Sequence, residues 1–157
     1  MMKRGSGLII NMSSIGGVIG LPYQGIYSAS KFALEGLTES LYKELFSSGI
    51  RVVMIEPGDF KTGFTASREL IVSRDGTDRF EASRMVIEKD EKSGRPPEKI
   101  ALLIEKIIKK KNPRLRYRIG AFDQKLSIFL KKILPGRCFD RIIMRYYKVK
   151  LNDKNRA

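Results

Sequence analysis

An α/β fold with a parallel sheet is predicted by three features of the chain. Two short apolar runs, GLIINMSS at 7–14 and IRVVMIEPG at 50–58, each read as a strand buried on both faces. Between them, residues 26–47 carry helical periodicity. LRYRI at 115–119, which follows a second amphipathic stretch, reads as a third strand. Strand, helix and strand at this spacing make a βαβ unit, which implies parallel pairing and a right-handed crossover. The 157 residues suffice for one domain with a real core and are too few to expect two.

In chain order, Gly7 precedes the first run and polar residues close it. SIGGVIGLPYQG (14–25) is glycine-rich and contains Pro22, so it reads as a loop. In the following helix Phe32, Ala33, Leu37, Ser40, Leu41 and Leu45 share a stripe, and Gly49 is placed to stop it. Pro57 and Gly58 close the second strand. Residues 59–97 mix charge, small residues and a few short helical turns without a sustained core stripe; connections this long are usually functional or mobile. PEKIALLIEKIIKKKNP then gives an amphipathic helix with the stripe Ile100, Leu103, Ile104, Ile107 and Ile108. The tail offers two basic amphipathic helices separated by Pro135-Gly136. One carries Phe122, Leu126, Phe129, Leu130 and Ile133, the other Phe139, Ile142, Ile143, Tyr146 and Tyr147.

Composition excludes several chemistries. A hydrophobic content of 42% is near the globular norm, so wholesale disorder is not expected. Histidine is absent, which removes Ser-His and Cys-His nucleophile pairs and the usual zinc ligands; no metal site is expected. The single cysteine, Cys138, rules out an internal disulfide and fits a reducing compartment. The apolar run at 8–12 is too short for a signal peptide, and no run approaches the ~20 residues of a membrane span, so a cytoplasmic location is expected. Residues 1–98 hold 13 Lys/Arg and 13 Asp/Glu, net zero, whereas 99–157 hold 18 and 4, net +14. The basic excess reads first as a solvated face and second as a patch for an anionic membrane surface, which would make the protein peripheral to membranes through residues 121–157. No nucleic-acid module is present and the aromatic residues are not spaced as a stacking platform.

The stretch YSASK at 27–31 places a phenol and an ammonium one helical turn apart with small residues between them. A phenol has a reference pKa of ~10, and bringing it to ~7 takes about 4 kcal/mol of differential stabilisation. A nearby positive charge supplies part of that in a dry site, which would make Tyr27 a general acid/base for a carbonyl/alcohol pair. Ser14 stands at the C-terminal end of a buried parallel strand, where open α/β sheets place their ligands, and its hydroxyl can hold a substrate oxygen as charge develops. Pro57 and Gly58 mark a second strand end, and Thr62 follows four residues after Gly58.

NMSS, the thirteen residues from Ser14 to Tyr27, YSASK and EPGDFKT together resemble the active-site half of a short-chain dehydrogenase/reductase. The wider GLPYQGIYSASKFALEGLTESL is similar to the hydroxysteroid and retinol dehydrogenase branch. The resemblance is strong over residues 6–62 and loose over 97–119. It implies the C-terminal half of a Rossmann-like doubly wound parallel sheet over residues 1–120, with a substrate lid at about 63–97 and a basic helical tail at 121–157. It implies an NAD- or NADP-dependent oxidoreductase acting on a secondary alcohol or ketone of an apolar substrate, steroid-, retinoid- or lipid-like. Ser14 would polarise the substrate oxygen, Tyr27 would transfer the proton, and Lys31 would bind the nicotinamide ribose and acidify Tyr27. Pro57 and Gly58 would flank the nicotinamide and Thr62 would meet its carboxamide. Asn11 would support its strand, and the 26–47 helix would serve a homo-oligomer.

The departures matter as much. Such enzymes begin with a strand, a TGxxxGxG turn and a helix that holds the pyrophosphate, and no such turn occurs here. The asparagine of a preceding helix that completes the family's proton relay is also missing. A truncated or mis-started copy, or a split gene, is the corresponding expectation, with an uncovered sheet edge open to association. The alternative reading is a non-catalytic fragment that acts as an associating or membrane-surface polypeptide.

Overall fold

The computed structural model describes residues 1–63 and 78–149. Residues 64–77 of the expected lid and 150–157 of the tail lie outside the described residues. The chain forms β1 (Gly7–Met12), a 3-10 turn (Ile15–Gly17), α1 (Gly25–Glu44), β2 (Ile50–Pro57), α2 (Asp78–Lys92), α3 (Glu98–Ile108), β3 (Arg116–Ile119), α4 (Phe122–Ile133) and α5 (Gly136–Tyr146). The three strands pair in parallel in the order β1-β2-β3. Gly7 stands opposite Ile50 and Met12 opposite Ile55, while Met54 stands opposite Arg116 and Pro57 opposite Ile119.

β2 is the central strand, and its run of β-branched and apolar residues is buried on both faces, as expected. β1 differs from expectation. It is half-buried along most of its length, because it bonds to β2 alone among the described strands. On one face Val53 and Ile55 pack against Ile107 of α3, with Leu8, Ile10, Leu103, Ile104, Tyr117 and Ile119 around them. Each fully buried aliphatic side chain here contributes about 1.5–3 kcal/mol. Helix α3 therefore uses most of its expected stripe, while Ile108 at its end is exposed.

The other face is covered by α1, and here the expected apolar stripe is corrected. Phe32 and Leu37 are 43% and 55% exposed, and the residues turned inward are Ser28, Glu35 and Thr38. The cause lies in the sheet. Glu56 of β2 is fully buried and needs cations, which β3 supplies: Arg118 Nε meets its Oε2 at 2.6 Å and Arg116 Nε its Oε1 at 3.0 Å. Arg116 also reaches Glu35 at 3.2 Å and bonds Glu39, so it ties α1 to the sheet through charge. Burial pushes the Glu35 carboxyl above its ordinary range. Asn11 Nδ2 donates to Thr38 Oγ1 at 2.9 Å, and Thr38 Oγ1 donates to the Leu34 carbonyl at 2.6 Å. Helix α1 is thus docked largely by polar links, and Ile26, Phe32 and Leu37 point outward.

One further difference concerns the region after β2. Residues expected to hold only short helical turns form the 15-residue helix α2. Helices α4 and α5 do pack on the rest: Ile128 and Phe139 join Ile15 and Ile19 of the loop after β1 in a second core, flanked by Leu21, Leu130 and Ile143. That core clamps the loop which carries Ser14.

Candidate active site

Serine and tyrosine reach the same spot by different routes. The ladder between β1 and β2 continues past Met12, with Ser13 N donating to the Ile55 carbonyl at 2.8 Å. Ser14 then caps the 3-10 turn, its Oγ accepting from Gly16 N at 3.0 Å. The same Oγ faces the Pro57 carbonyl at 3.5 Å, so the hydroxyl sits between two strand ends. Tyr27 lies in the first turn of α1. The adjacent Ser28 accepts from Leu21 N at 3.1 Å and fixes the helix start to the loop. Gly16 separates the two groups: a Cβ there would stand 3.0 Å from Tyr27 Cε1 and 3.5 Å from Ser14 Oγ. The phenol ring and the hydroxyl therefore flank one small gap that only glycine leaves open.

Lys31 follows one turn after Tyr27. Its Nζ donates to the Met12 carbonyl at 3.1 Å and stands 5.8 Å from the centre of the Tyr27 ring. The last residue of β1 thus holds the ammonium beside the phenol. Gly58 N donates to the Ile119 carbonyl at 2.8 Å, and Gly58 packs against Gln124, whose Oε1 a Cβ would meet at 1.9 Å. Thr62 Oγ1 donates to Glu91 at 3.0 Å.

All six residues singled out from the sequence, Ser14, Tyr27, Lys31, Pro57, Gly58 and Thr62, line one cavity of 570 Å³ at the C-terminal ends of the strands. Much of the remaining wall is apolar, from Ile15, Ile19 and Leu21 on one side to Ile87, Leu126 and Leu130 on the other. The cavity lies where open parallel sheets bind their ligands.

One wall was not legible in the sequence. Asp59, Asp90, Glu91 and Asp123 all line the cavity. Asp59 N donates to Gln124 Oε1 at 3.3 Å while Gln124 Nε2 donates to the Asp59 carboxylate. Tyr146 donates to Asp90 at 2.7 Å. Burial raises the Asp59 carboxyl to about 6, helped by the charges of Asp90, Asp123 and Glu91. Burial also raises Asp90. Among the described residues these carboxylates do not group tightly enough to hold a metal ion. Asp59 directly follows the Pro-Gly strand end, which was the available signal; Asp90 sits on the unanticipated α2.

A raised carboxyl has a consequence for stability. The charged form of Asp59 is disfavoured in the folded chain, so its penalty is absent below the unfolded value near 3.8 and fully present above about 6. Asp59→Asn keeps an acceptor for Gln124 and is expected to stabilise the protein by up to about 3 kcal/mol at pH 7 and by little at pH 4. Urea unfolding at the two pH values measures this; equal effects at both would show that Asp59 carries no such penalty.

Comparison with known proteins finds the same fold and related sequences. The family described as short chain dehydrogenase matches residues 1–70. The chain is 42% identical over 154 residues to the 3-ketodihydrosphingosine reductase of Bacteroides thetaiotaomicron, covering 96% of this chain and 57% of that protein. A solved short-chain dehydrogenase from Streptomyces avermitilis superposes with a TM-score of 0.64 at 28% identity, covering 94% of this chain and 52% of that one. A short chain dehydrogenase/reductase from Burkholderia phymatum, solved with NAD, shares the fold with a TM-score of 0.67 at 22% identity, over 84% and 49% of the two chains. The chain spans about half the length of the curated relatives it matches.

Proposed function

The chain belongs to the short-chain dehydrogenase family, and from that premise we propose that its cavity interconverts a ketone and a secondary alcohol with NAD or NADP. The observation that carries the reading is the meeting of Ser14, Tyr27 and Lys31 on one cavity at the strand ends. When bound, the cofactor supplies or accepts hydride. Tyr27 Oη gives its proton to the substrate oxygen in reduction and takes it back in oxidation. Ser14 donates a hydrogen bond to the same oxygen as charge builds on it. Lys31 spends one of its three donors on Met12 and has two further ones for ribose hydroxyls. Its charge also favours the negative charge left on Tyr27 as the proton departs. Pro57, Gly58 and Thr62 would hold the nicotinamide end of the cofactor, since they line the same cavity as Tyr27 and Lys31.

The walls bear on the substrate. An apolar lining suits a lipid-like molecule, and the carboxylates suit a cation near the reacting carbon. The Bacteroides relative acts, by its name, on 3-ketodihydrosphingosine. That compound carries an ammonium beside its ketone on a long alkyl chain, and it unites both demands. We extend the proposal to long-chain amino ketones on this basis. Steroids and retinoids offer no cation to the negative charge of that wall.

Steady-state reduction of matched long-chain 3-ketones, with and without the neighbouring amine, tests the reading. The amine is expected to raise kcat/KM by roughly tenfold or more, equivalent to about 1.4 kcal/mol. This preference should fade as pH falls through 6, where Asp59 takes up its proton. An equal rate for both ketones would remove the amino-ketone substrate, and no consumption of either NADH or NADPH with any ketone would remove the oxidoreductase reading.

A further inference from the structure

We infer that α4 and α5 form a docking surface for an anionic lipid leaflet, set at the rim of the cavity. Helix α4 leaves Phe122, Leu126, Phe129 and Ile133 exposed by 76%, 38%, 57% and 58%. Their spacing of four, three and four residues puts them on a single face of the helix. Lys125 and Lys132 flank that stripe and are exposed. Helix α5 adds the opposite ingredient. Arg137, Arg141 and Arg145 recur every four residues, Lys148 follows just beyond the helix, and all four are exposed. Residues 121–149 hold seven Lys/Arg and two Asp, a net charge of +5.

An apolar stripe beside a basic stripe on adjoining helices is the pattern of an interfacial helix pair, which buries apolar side chains among acyl chains and sets cations among headgroups. No helix among the described residues is long and apolar enough to cross a membrane, and the proposed contact is with the surface. Charge complementarity selects the occupant. A second copy docking through the same patch would bring these exposed cations against their own kind, whereas an anionic leaflet neutralises them.

The cavity lies alongside. Leu126, Ile142 and Tyr146 line it and are also exposed, so its rim belongs to this surface. An apolar molecule resting in the leaflet would meet the opening without crossing bulk water. Docking itself does not depend on the oxidoreductase reading and is measured without cofactor or substrate.

The test is co-sedimentation of the full chain with vesicles of phosphatidylcholine alone or mixed with phosphatidylglycerol. Roughly tenfold or greater enrichment is expected on the anionic vesicles, declining as salt shortens the Debye length. Phe122→Ser combined with Phe129→Ser, and separately Arg137→Gln combined with Arg141→Gln, should each reduce binding while leaving the circular dichroism spectrum unchanged. Equal binding to both vesicle types, or none, would overturn the proposal. So would a serine variant that abolishes self-association in sedimentation velocity yet binds vesicles as the parent does, since the stripe would then belong between copies.

Discussion

Tyr27→Phe is expected to lower kcat for ketone reduction by roughly 10²–10⁴-fold while cofactor affinity stays nearly unchanged. The substitution removes one oxygen and nothing else. The ring keeps its place against Gly16, and Lys31 keeps its bond to Met12, because neither contact uses the hydroxyl. Lys31→Met is the informative partner. It removes both the charge beside the phenol and the donors offered to the ribose, so it should weaken cofactor binding and turnover together. Nucleotide titration by fluorescence, run beside single-turnover kinetics, separates the two patterns. If phenylalanine at position 27 leaves turnover intact, the tyrosine is a packing residue and the proton comes from elsewhere.

The largest loss of stability is expected from Arg116→Met. Arg116 meets Glu35, Glu39 and the fully buried Glu56, so one guanidinium serves three carboxylates on two layers of the fold. Removing one partner of a buried ion pair costs about 3–5 kcal/mol, mainly because the remaining charge has lost its compensation. Arg118 still reaches Glu56 and limits the damage there. Glu35, already raised by burial, would be left more strongly disfavoured in its charged form. Adding Glu35→Gln to Arg116→Met should therefore recover part of the loss, and urea unfolding of the single and double variants measures the coupling. A loss below about 1 kcal/mol would mean that solvent screens the cluster. Because Arg116 also anchors the helix that carries Tyr27 and Lys31, any folded variant should show the weakened geometry as a lower kcat.

The parts of the fold that were legible in the sequence are those set by local pattern. β1 and β2 follow from short apolar runs closed by polar or Pro-Gly residues, and α3, α4 and α5 from apolar spacing with a Pro135-Gly136 break. The six candidate residues were picked from two strand ends, one helical turn and the family resemblance, and all six line one cavity. The inward face of α1 was not legible. It is set by Arg116, 81 positions from Glu35, and the apolar stripe that local spacing suggested includes the exposed Phe32 and Leu37. Helix α2 hid for a related reason: Ser83, fully buried, is among its inward residues, while Met85 is 63% exposed. The carboxylate wall needed that helix in place, since it joins Asp59 after β2, Asp90 in α2 and Asp123 at the start of α4.

Deuterium transfer tests the chemistry most directly. With reduced nicotinamide cofactor carrying deuterium at both C4 positions and a long-chain 3-ketone, mass spectrometry of the product is expected to find one deuterium on the carbinol carbon. The same label should be nearly absent with Tyr27→Phe over the same time. Product formed without deuterium, or labelled equally by the phenylalanine variant, would contradict a hydride reaction in which Tyr27 moves the proton.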